Sequence, residues 1–331
     1  MDIFKKITHY IKNTDLYLVI LALLCSAYGM VLIYSATLNP SSALDGSTRN
    51  LFIQGAAILI GLGAFIIMSL IDLETMSGWW KIFVLINIGL QMLLFTPLGE
   101  EVNGQRAWLE LGPTSLQPGE LGKLIFIFTL AAHISEIKEH ISEWRGLFVI
   151  ALHTLIMMGA VVISSGDTGM AIQYFMIALI MLFAAGLSFK WLGVGCGLAV
   201  VSIPILWNFV LQDYQITRIL VLFDPSIDPD TSRQATYGKI AIGSGQLDGQ
   251  GLTHGTMTQM QLVSENHTDY IFSVAGEELG FIGCMLIIGL LVLLIARIFY
   301  VSYRASTTFS SLLAVGVGMQ TAGPLADFMP P

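Results

Sequence analysis

Apolar residues in this chain collect into long runs rather than alternating with polar ones, the pattern of helices that cross a bilayer. Eight spans follow, roughly Leu16–Ala36, Leu51–Ile71, Lys81–Thr96, Leu121–Ile134, Leu147–Ser164, Met170–Leu187, Leu192–Leu211 and Ile271–Ala296. The connections alternate between short and long. Lys5, Lys6, Lys12, Lys81, Lys138, Arg145, Lys190, Arg297 and Arg304 then fall on one side. The other side's short loops hold Arg49 and Arg106, with Lys123 just inside a helix end. By the positive-inside rule the first side, with the N-terminus, is cytoplasmic. The long polar loops, about 97–120 and 212–269, then face outward, the second lying between spans seven and eight. After Arg304 the run Phe309–Gln320 is Gly-rich and about half a span long, and Pro324, Pro330 and Pro331 oppose a helix beyond it. The expectation is one integral membrane domain over residues 1–331, either truncated at its C-terminus or with a last segment that does not span the membrane.

Composition strengthens this picture. Of 331 residues, 55% are hydrophobic and 11% charged, where a soluble domain carries about 25% charged; mean hydropathy is +0.75. The fold class expected is an all-α, polytopic membrane helix bundle. The net charge of −8 says less than the placement of charges. Cys25, Cys196 and Cys284 lie in apolar runs and make neither a disulfide framework nor a zinc pattern. The six histidines are scattered without paired ligand spacing, so no metal held by protein ligands alone is expected. The basic MDIFKKITHYIKN reads as a cytoplasmic lead-in to a retained first helix rather than a signal peptide.

Chemistry concentrates around Ser264–Gly283, which carries Glu265, Asp269, Glu277 and Glu278 and runs into an apolar segment. Acidic groups at the mouth of, and inside, a membrane helix are costly and mark function. Asp269, at the start of span eight, is the candidate reactive group, an ordinary N-cap being the plainer reading. Glu277 and Glu278 lie about two turns in, where at least one should pair with a basic residue of another helix. They are structural or site-supporting. In the first outer loop, glycines and prolines predict a compact turn-rich segment on the membrane surface, with Trp108 and Leu109 as interface anchor. Glu120 and Lys123 share a helix face, either as a helix-end pair whose Lys123 snorkels outward or, with Arg106, as a binding site for an anionic headgroup. Asp167 in SSGDTG reads as an N-cap of span six or as a site residue. The glycine-rich Ser244–Gly255 lacks the features of a P-loop and reads as a flexible or close-packing surface loop. Arg218, Arg233 and Lys239 make this outer loop modestly basic.

Three blocks taken together, NGQRAWLELGPTSLQPGELGKL, SSGDTG and RILVLFDPSIDPDTSRQATYGKIAIGSGQLDGQGLTHGTMTQMQLVSENHTDYIFSVAGEELGFIG, resemble the SEDS family of peptidoglycan glycosyltransferases. The likeness covers nearly all of residues 12–315, and GLTHGTMTQMQLVSENHTDYIF is more similar to the elongation branch (RodA) than to the division branch (FtsW). The resemblance implies a ten-span bundle, of which eight are counted here. It implies Asp269 as the catalytic acid residue and Trp108, Arg106, Glu120 and Lys123 in an outer substrate cavity. Glu265, Asp167 and Glu278 match family motif positions. Ser264, Gln246, Gly119 and the Ser165-Gly166 pair depart from the residues usual in the family, Gly119 replacing a Ser and Gln246 a Gly.

The implied reaction polymerises lipid II, as donor and acceptor, in a bacterial inner membrane during cell elongation and shape maintenance. Asp269 would act as general base, with Arg106, Lys123 and Arg218 clamping the pyrophosphate. No cofactor is required by this reading, although a divalent cation bridging Asp269 and pyrophosphate is compatible with it. The partners implied are a class B penicillin-binding protein transpeptidase, the elongation machinery and membrane lipid, with no nucleic acid. Two alternatives remain: a lipid II flippase, and a non-catalytic scaffold for the penicillin-binding protein.

Overall fold

The computed structural model describes residues 14–38, 45–102, 105–110, 115–209, 213–224, 226–263 and 266–327. Its helices in chain order are α1 (Leu16–Thr37), α2 (Asp45–Leu70), the single-turn α3 (Leu73–Ser77), α4 (Trp80–Met92), α5 (Pro118–Glu136), α6 (Trp144–Ser165), α7 (Thr168–Ala184), α8 (Phe189–Phe209), α9 (Asp213–Phe223), α10 (Pro229–Ser244), the short α11 (Thr256–Gln259), α12 (Ile271–Arg304) and α13 (Thr308–Asp327). Every expected span coincides with a helix. Four stretches, Leu16–Thr37, Arg49–Leu70, Trp144–Ser165 and Ile271–Arg304, are long and apolar enough to cross a bilayer, and shorter apolar helices lie between them. This is a multi-pass helical membrane protein.

Three expectations change. The segment expected as the first outer loop carries a small antiparallel sheet, β1 (Gly99–Val102), β2 (Gln105–Glu110) and β3 (Ser115–Leu116), in the order β1-β2-β3. Strand alternation buries Ala107 and Leu109 and exposes Trp108, so Leu109 belongs to the interior and only Trp108 is available as a surface anchor. The segment expected as the second outer loop carries α9, α10 and α11. The run after Arg304 is a 20-residue helix, not half a span, and Pro324 lies inside it close to its end. Phe309, Leu312 and Val315 of that helix are buried in a hydrophobic core, which offsets the weak helical preference of its glycines.

The chain divides into two compact units, one comprising residues 1–70, 202–297 and 324–331 and the other 71–201 and 298–323. The second has the larger core. Phe126, Leu130 and Ile134 on α5 meet Ile150 and Met157 on α6, Tyr174 and Met181 on α7, and Leu312 on α13. Local signals end these helices where they should end. Gly166 takes a left-handed conformation (φ 69°) as the C-cap of α6, and Asp167 immediately caps α7 by accepting from Met170 N–H at 2.9 Å. In the first unit, Leu32 of α1 packs against Ala275 and Ile287 of α12. Asp15 there caps α1 through Leu18 N–H and also accepts from Arg297 Nε at 2.9 Å.

Two histidines come together despite their sequence separation. His133 Nδ1 lies 3.0 Å from His153 Nδ1, with Thr129 Oγ1 3.3 Å from His153 Nε2 and the Trp80 ring stacked over both. No group of three metal-ligating side chains forms among the described residues.

Candidate active site

The sequence-predicted site residues fall into both units. In the second unit, the start of α5 carries Glu120 and Lys123. Pro118 occupies the first turn, where its missing N–H is harmless. Lys123 Nζ donates to Glu120 Oε1 at 2.8 Å and to Gln173 Oε1 of α7 at 2.6 Å. Its side chain is only 3% exposed while that of Glu120 is 50% exposed, so the ion pair is real but Lys123 does not snorkel. An ammonium has three donors; Glu120 and Gln173 take two, and no described residue takes the third. Glu120 also accepts from Gln320 Nε2 of α13 at 3.4 Å.

The turn of α5 beneath this pair is gripped by polar side chains from its neighbours. Tyr174 O–H donates to the Gly119 carbonyl (3.2 Å), Gln91 Nε2 to that of Pro118 (3.2 Å) and Asn87 Nδ2 to that of Gly122 (2.9 Å). A Cβ at Gly122 would lie within 2.7 Å of Asn87 Oδ1 and Gln91 Nε2, so glycine is required for the approach. Asn87 and Gln91 were missed from the sequence. Their signal was two amides four residues apart within an apolar run, hence on one helix face.

Arg106 is half-buried on β2 and donates through Nε to the Gly99 carbonyl and through Nη2 to that of Thr96, both at 3.1 Å. It therefore ties down the sheet with part of its donor fork. Trp108 is 37% exposed. Asp167 is half-buried and serves as the cap described above.

In the first unit, Asp269 is exposed in the turn at 266–270, two residues ahead of the first helical residue of α12. Glu277 and Glu278 are both 0% exposed, and neither meets a lysine or arginine among the described residues. The expected cationic partner is replaced by main-chain and side-chain donors. Glu277 accepts from Met257 N–H (2.7 Å), Thr258 N–H (2.9 Å) and Thr258 O–H (2.7 Å). Glu278 accepts from Ser35 O–H, Thr253 N–H (3.2 Å), Gly255 N–H (3.4 Å) and Gln259 Nε2 (3.4 Å). Seven hydrogen bonds thus hold the two carboxyl groups where a single cation was expected.

Gly280 breaks α12 at φ 64° and ψ −161°, a region essentially confined to glycine. The glycine-rich segment 244–255, for which a flexible or a close-packing loop is expected, packs closely and fills the break. Phe281 and Ile282 N–H donate to the carbonyls of Gln246 and Leu247, while the carbonyls of Glu277 and Glu278 accept from Gln250 and Gly251 N–H. Glu265 lies outside the described residues, as does the side chain of Arg218, whose backbone belongs to α9.

A cavity of about 310 Å³ opens elsewhere in the second unit, lined by Trp80, Lys81, Ser135 and Glu136 among others. It adjoins the opposite end of α5 from Glu120, about 24 Å along the helix at 1.5 Å per residue, and contributes nothing to this site.

Residues 15–324 match the cell cycle protein family that groups FtsW, RodA and SpoVE. The chain belongs to that family. Peptidoglycan glycosyltransferase MrdB of Escherichia coli (strain K12) is 34% identical over 302 residues, covering 91% of this chain and 78% of that protein. The probable peptidoglycan glycosyltransferase FtsW of Nitrosomonas europaea is 33% identical over 322 residues, covering 92% and 80%. Among solved structures, a chain from a peptidoglycan synthase complex that coordinates polymerization and crosslinking superposes with a TM-score of 0.77 at 27% identity, covering 96% of this chain and 89% of that one. The rod shape determining protein RodA of Thermus thermophilus superposes with a TM-score of 0.63 at 25% identity, covering 92% and 81%. As an FtsW/RodA/SpoVE family member, the chain carries Asp269, Glu277 and Glu278 within the matched span.

Proposed function

We propose that this chain is a peptidoglycan glycosyltransferase that polymerises lipid II into glycan strands for cell elongation. It works at the outer face of the bacterial inner membrane, with its N-terminus in the cytoplasm. The observation that carries the reading is the contrast among its carboxylates. Glu277 and Glu278 are fully buried within α12, whereas Asp269 lies in an exposed turn ahead of that helix. The relatives' activity supports the same conclusion.

In this reading Asp269 removes the proton from an acceptor sugar hydroxyl as its oxygen bonds to the donor's anomeric carbon. The bond from that carbon to pyrophosphate breaks, and the lipid pyrophosphate leaves. A positioned general base contributes about 10²–10⁴ in rate. The departing charge needs cations, for which Lys123 retains one donor and Arg106 the rest of its fork; Arg218 is a further candidate. Trp108 and Glu120 belong to the substrate-binding set, with Asp167 and Glu265. The likeness to a peptidoglycan synthase complex supports a crosslinking partner, here a class B penicillin-binding protein, within the elongation machinery.

The test is glycan synthesis from purified lipid II by the detergent-solubilised protein. Asp269→Ala should lower the rate by about 10²-fold or more while leaving the thermal unfolding midpoint unchanged. Polymer at the wild-type rate from that variant refutes the assignment.

A further inference from the structure

The break at Gly280 and the two buried carboxylates are parts of one device. In a continuous helix, the N–H groups of Phe281 and Ile282 would bond to the carbonyls of Glu277 and Glu278. Here those two bonds are exchanged for four to residues Gln246, Leu247, Gln250 and Gly251, so the loop is spliced into the helix backbone. Gly249 would collide with the Glu278 backbone if it carried a Cβ, and it adopts φ 81°, so only glycine serves there.

Beyond the splice, the chain passes the side chains of Glu278 and then Glu277. Thr253 is held at φ 67°, an outlying conformation for a β-branched residue, and its N–H reaches Glu278 Oε2 and Ser35 Oγ. Strain of this kind persists only where its surroundings over-determine it. Met257 and Thr258 are then fixed to Glu277. The chain leaves at Gln259 and returns to α12 at Ile271, six residues before Glu277. Asn266 Nδ2 reaches back to the Thr258 carbonyl at 3.5 Å. Asp269 thus lies between Asn266, which is tied to the strap, and Ile271, where α12 begins.

We infer that Glu277 and Glu278 are positioning residues for Asp269: their carboxylates clamp the 253–258 strap onto α12 and so limit where the Asp269 carboxylate can go. The inference rests on the reading of Asp269 as the reactive group. Neither glutamate touches substrate. Their effect passes through the strap and appears in turnover rather than in substrate affinity.

The experiment combines lipid II polymerisation with backbone hydrogen exchange on the full chain in nanodiscs. Glu277→Gln should quicken exchange across residues 259–270 while α10, residues 230–243, exchanges at the wild-type rate. Its kcat should fall roughly 10²-fold, the scale of a misplacement of about 1 Å, with KM for lipid II within about twofold. Thr258→Val, which removes one donor to Glu277, should show a weaker form of both effects, and Thr258→Ser should restore both. The Thr258 pair carries the test if Glu277→Gln does not fold. Unchanged exchange in 259–270 overturns the inference, as does an unchanged kcat alongside faster exchange. Wild-type polymerisation by Asp269→Ala would sink the underlying reading instead, and the exchange result would stand apart from it.

Discussion

Lys123 of α5 donates its ammonium to Gln173 Oε1 of α7 at 2.6 Å, giving a buried cation a neutral partner besides Glu120. Taking a charge out of water is costly unless its donors are met. Gln173→Leu should therefore destabilise the protein by about 1.5–3 kcal/mol, the scale of a hydrogen bond to a charged group, and should lower glycan synthesis as Lys123 shifts. Gln173→Glu, which supplies a carboxylate oxygen in the same place, should preserve the fold. Thermal unfolding in detergent alongside lipid II polymerisation reads both effects. A neutral Gln173→Leu would show that this bond carries little weight.

Gly119 of α5 packs closely against Met170 of α7. A Cβ at this position would fall on Met170 Sδ and 2.8 Å from its Cε. Gly119→Ser alone should cost about 1 kcal/mol, the low end of overpacking, because the atoms displaced are the end of a flexible side chain. Combining it with Met170→Ala should recover part of that loss, although Met170→Ala alone opens a cavity and destabilises. A double-mutant cycle on unfolding midpoints gives the coupling, and strict additivity would contradict the contact.

Gln246 is held at φ 49° while its carbonyl accepts from Phe281 N–H. A left-handed conformation costs a residue bearing a Cβ about 1–2 kcal/mol, against about 0.5–1 kcal/mol of extra unfolded-state entropy for glycine. Gln246→Gly should be stabilising by a small margin and Gln246→Val clearly destabilising. The same unfolding assay orders the three proteins, and a destabilised Gln246→Gly would overturn the account.

His140 lies in the polar turn between α5 and α6, its Nδ1 2.8 Å from Glu143 Oε1. That hydrogen bond, then the charge of Glu143, raises its pKa above the ordinary 6.5. A raised folded-state pKa means the contact's contribution is complete below the unfolded value and is lost as pH rises through the folded one. Glu143→Gln should move the His140 titration down toward 6.5, seen by NMR of labelled imidazoles. Because the pair is exposed, the stability change should be small.

Much of this fold was legible because apolar runs leave little choice in a bilayer, and α1, α2, α6 and the lower part of α12 follow from them directly. The sheet was written in the alternation of Ala107, Trp108, Leu109 and Glu110, but the surrounding glycines and prolines drew attention to turns instead. Helix α10 is polar on most sides and offers no apolar stripe. The depth of Glu277 and Glu278 was readable from their position, yet their partners were not. Those partners are mostly backbone N–H groups, which every residue but proline possesses, so no residue type announces them. Gln173 escaped for a related reason: one amide in an apolar run says nothing of the lysine fifty positions earlier that it will meet.

Gly280 has a bearing on how the chain is made. A helix enters lipid unaided only when it satisfies its own backbone, and the portion of α12 following Gly280 does so. The portion preceding it does not, since the acceptors of Glu277 and Glu278 await amides from upstream. Biogenesis consequently has two stages here: the stem can be deposited in the bilayer by its own apolarity, and the collar beside it matures only after segment 246–251 has folded onto it.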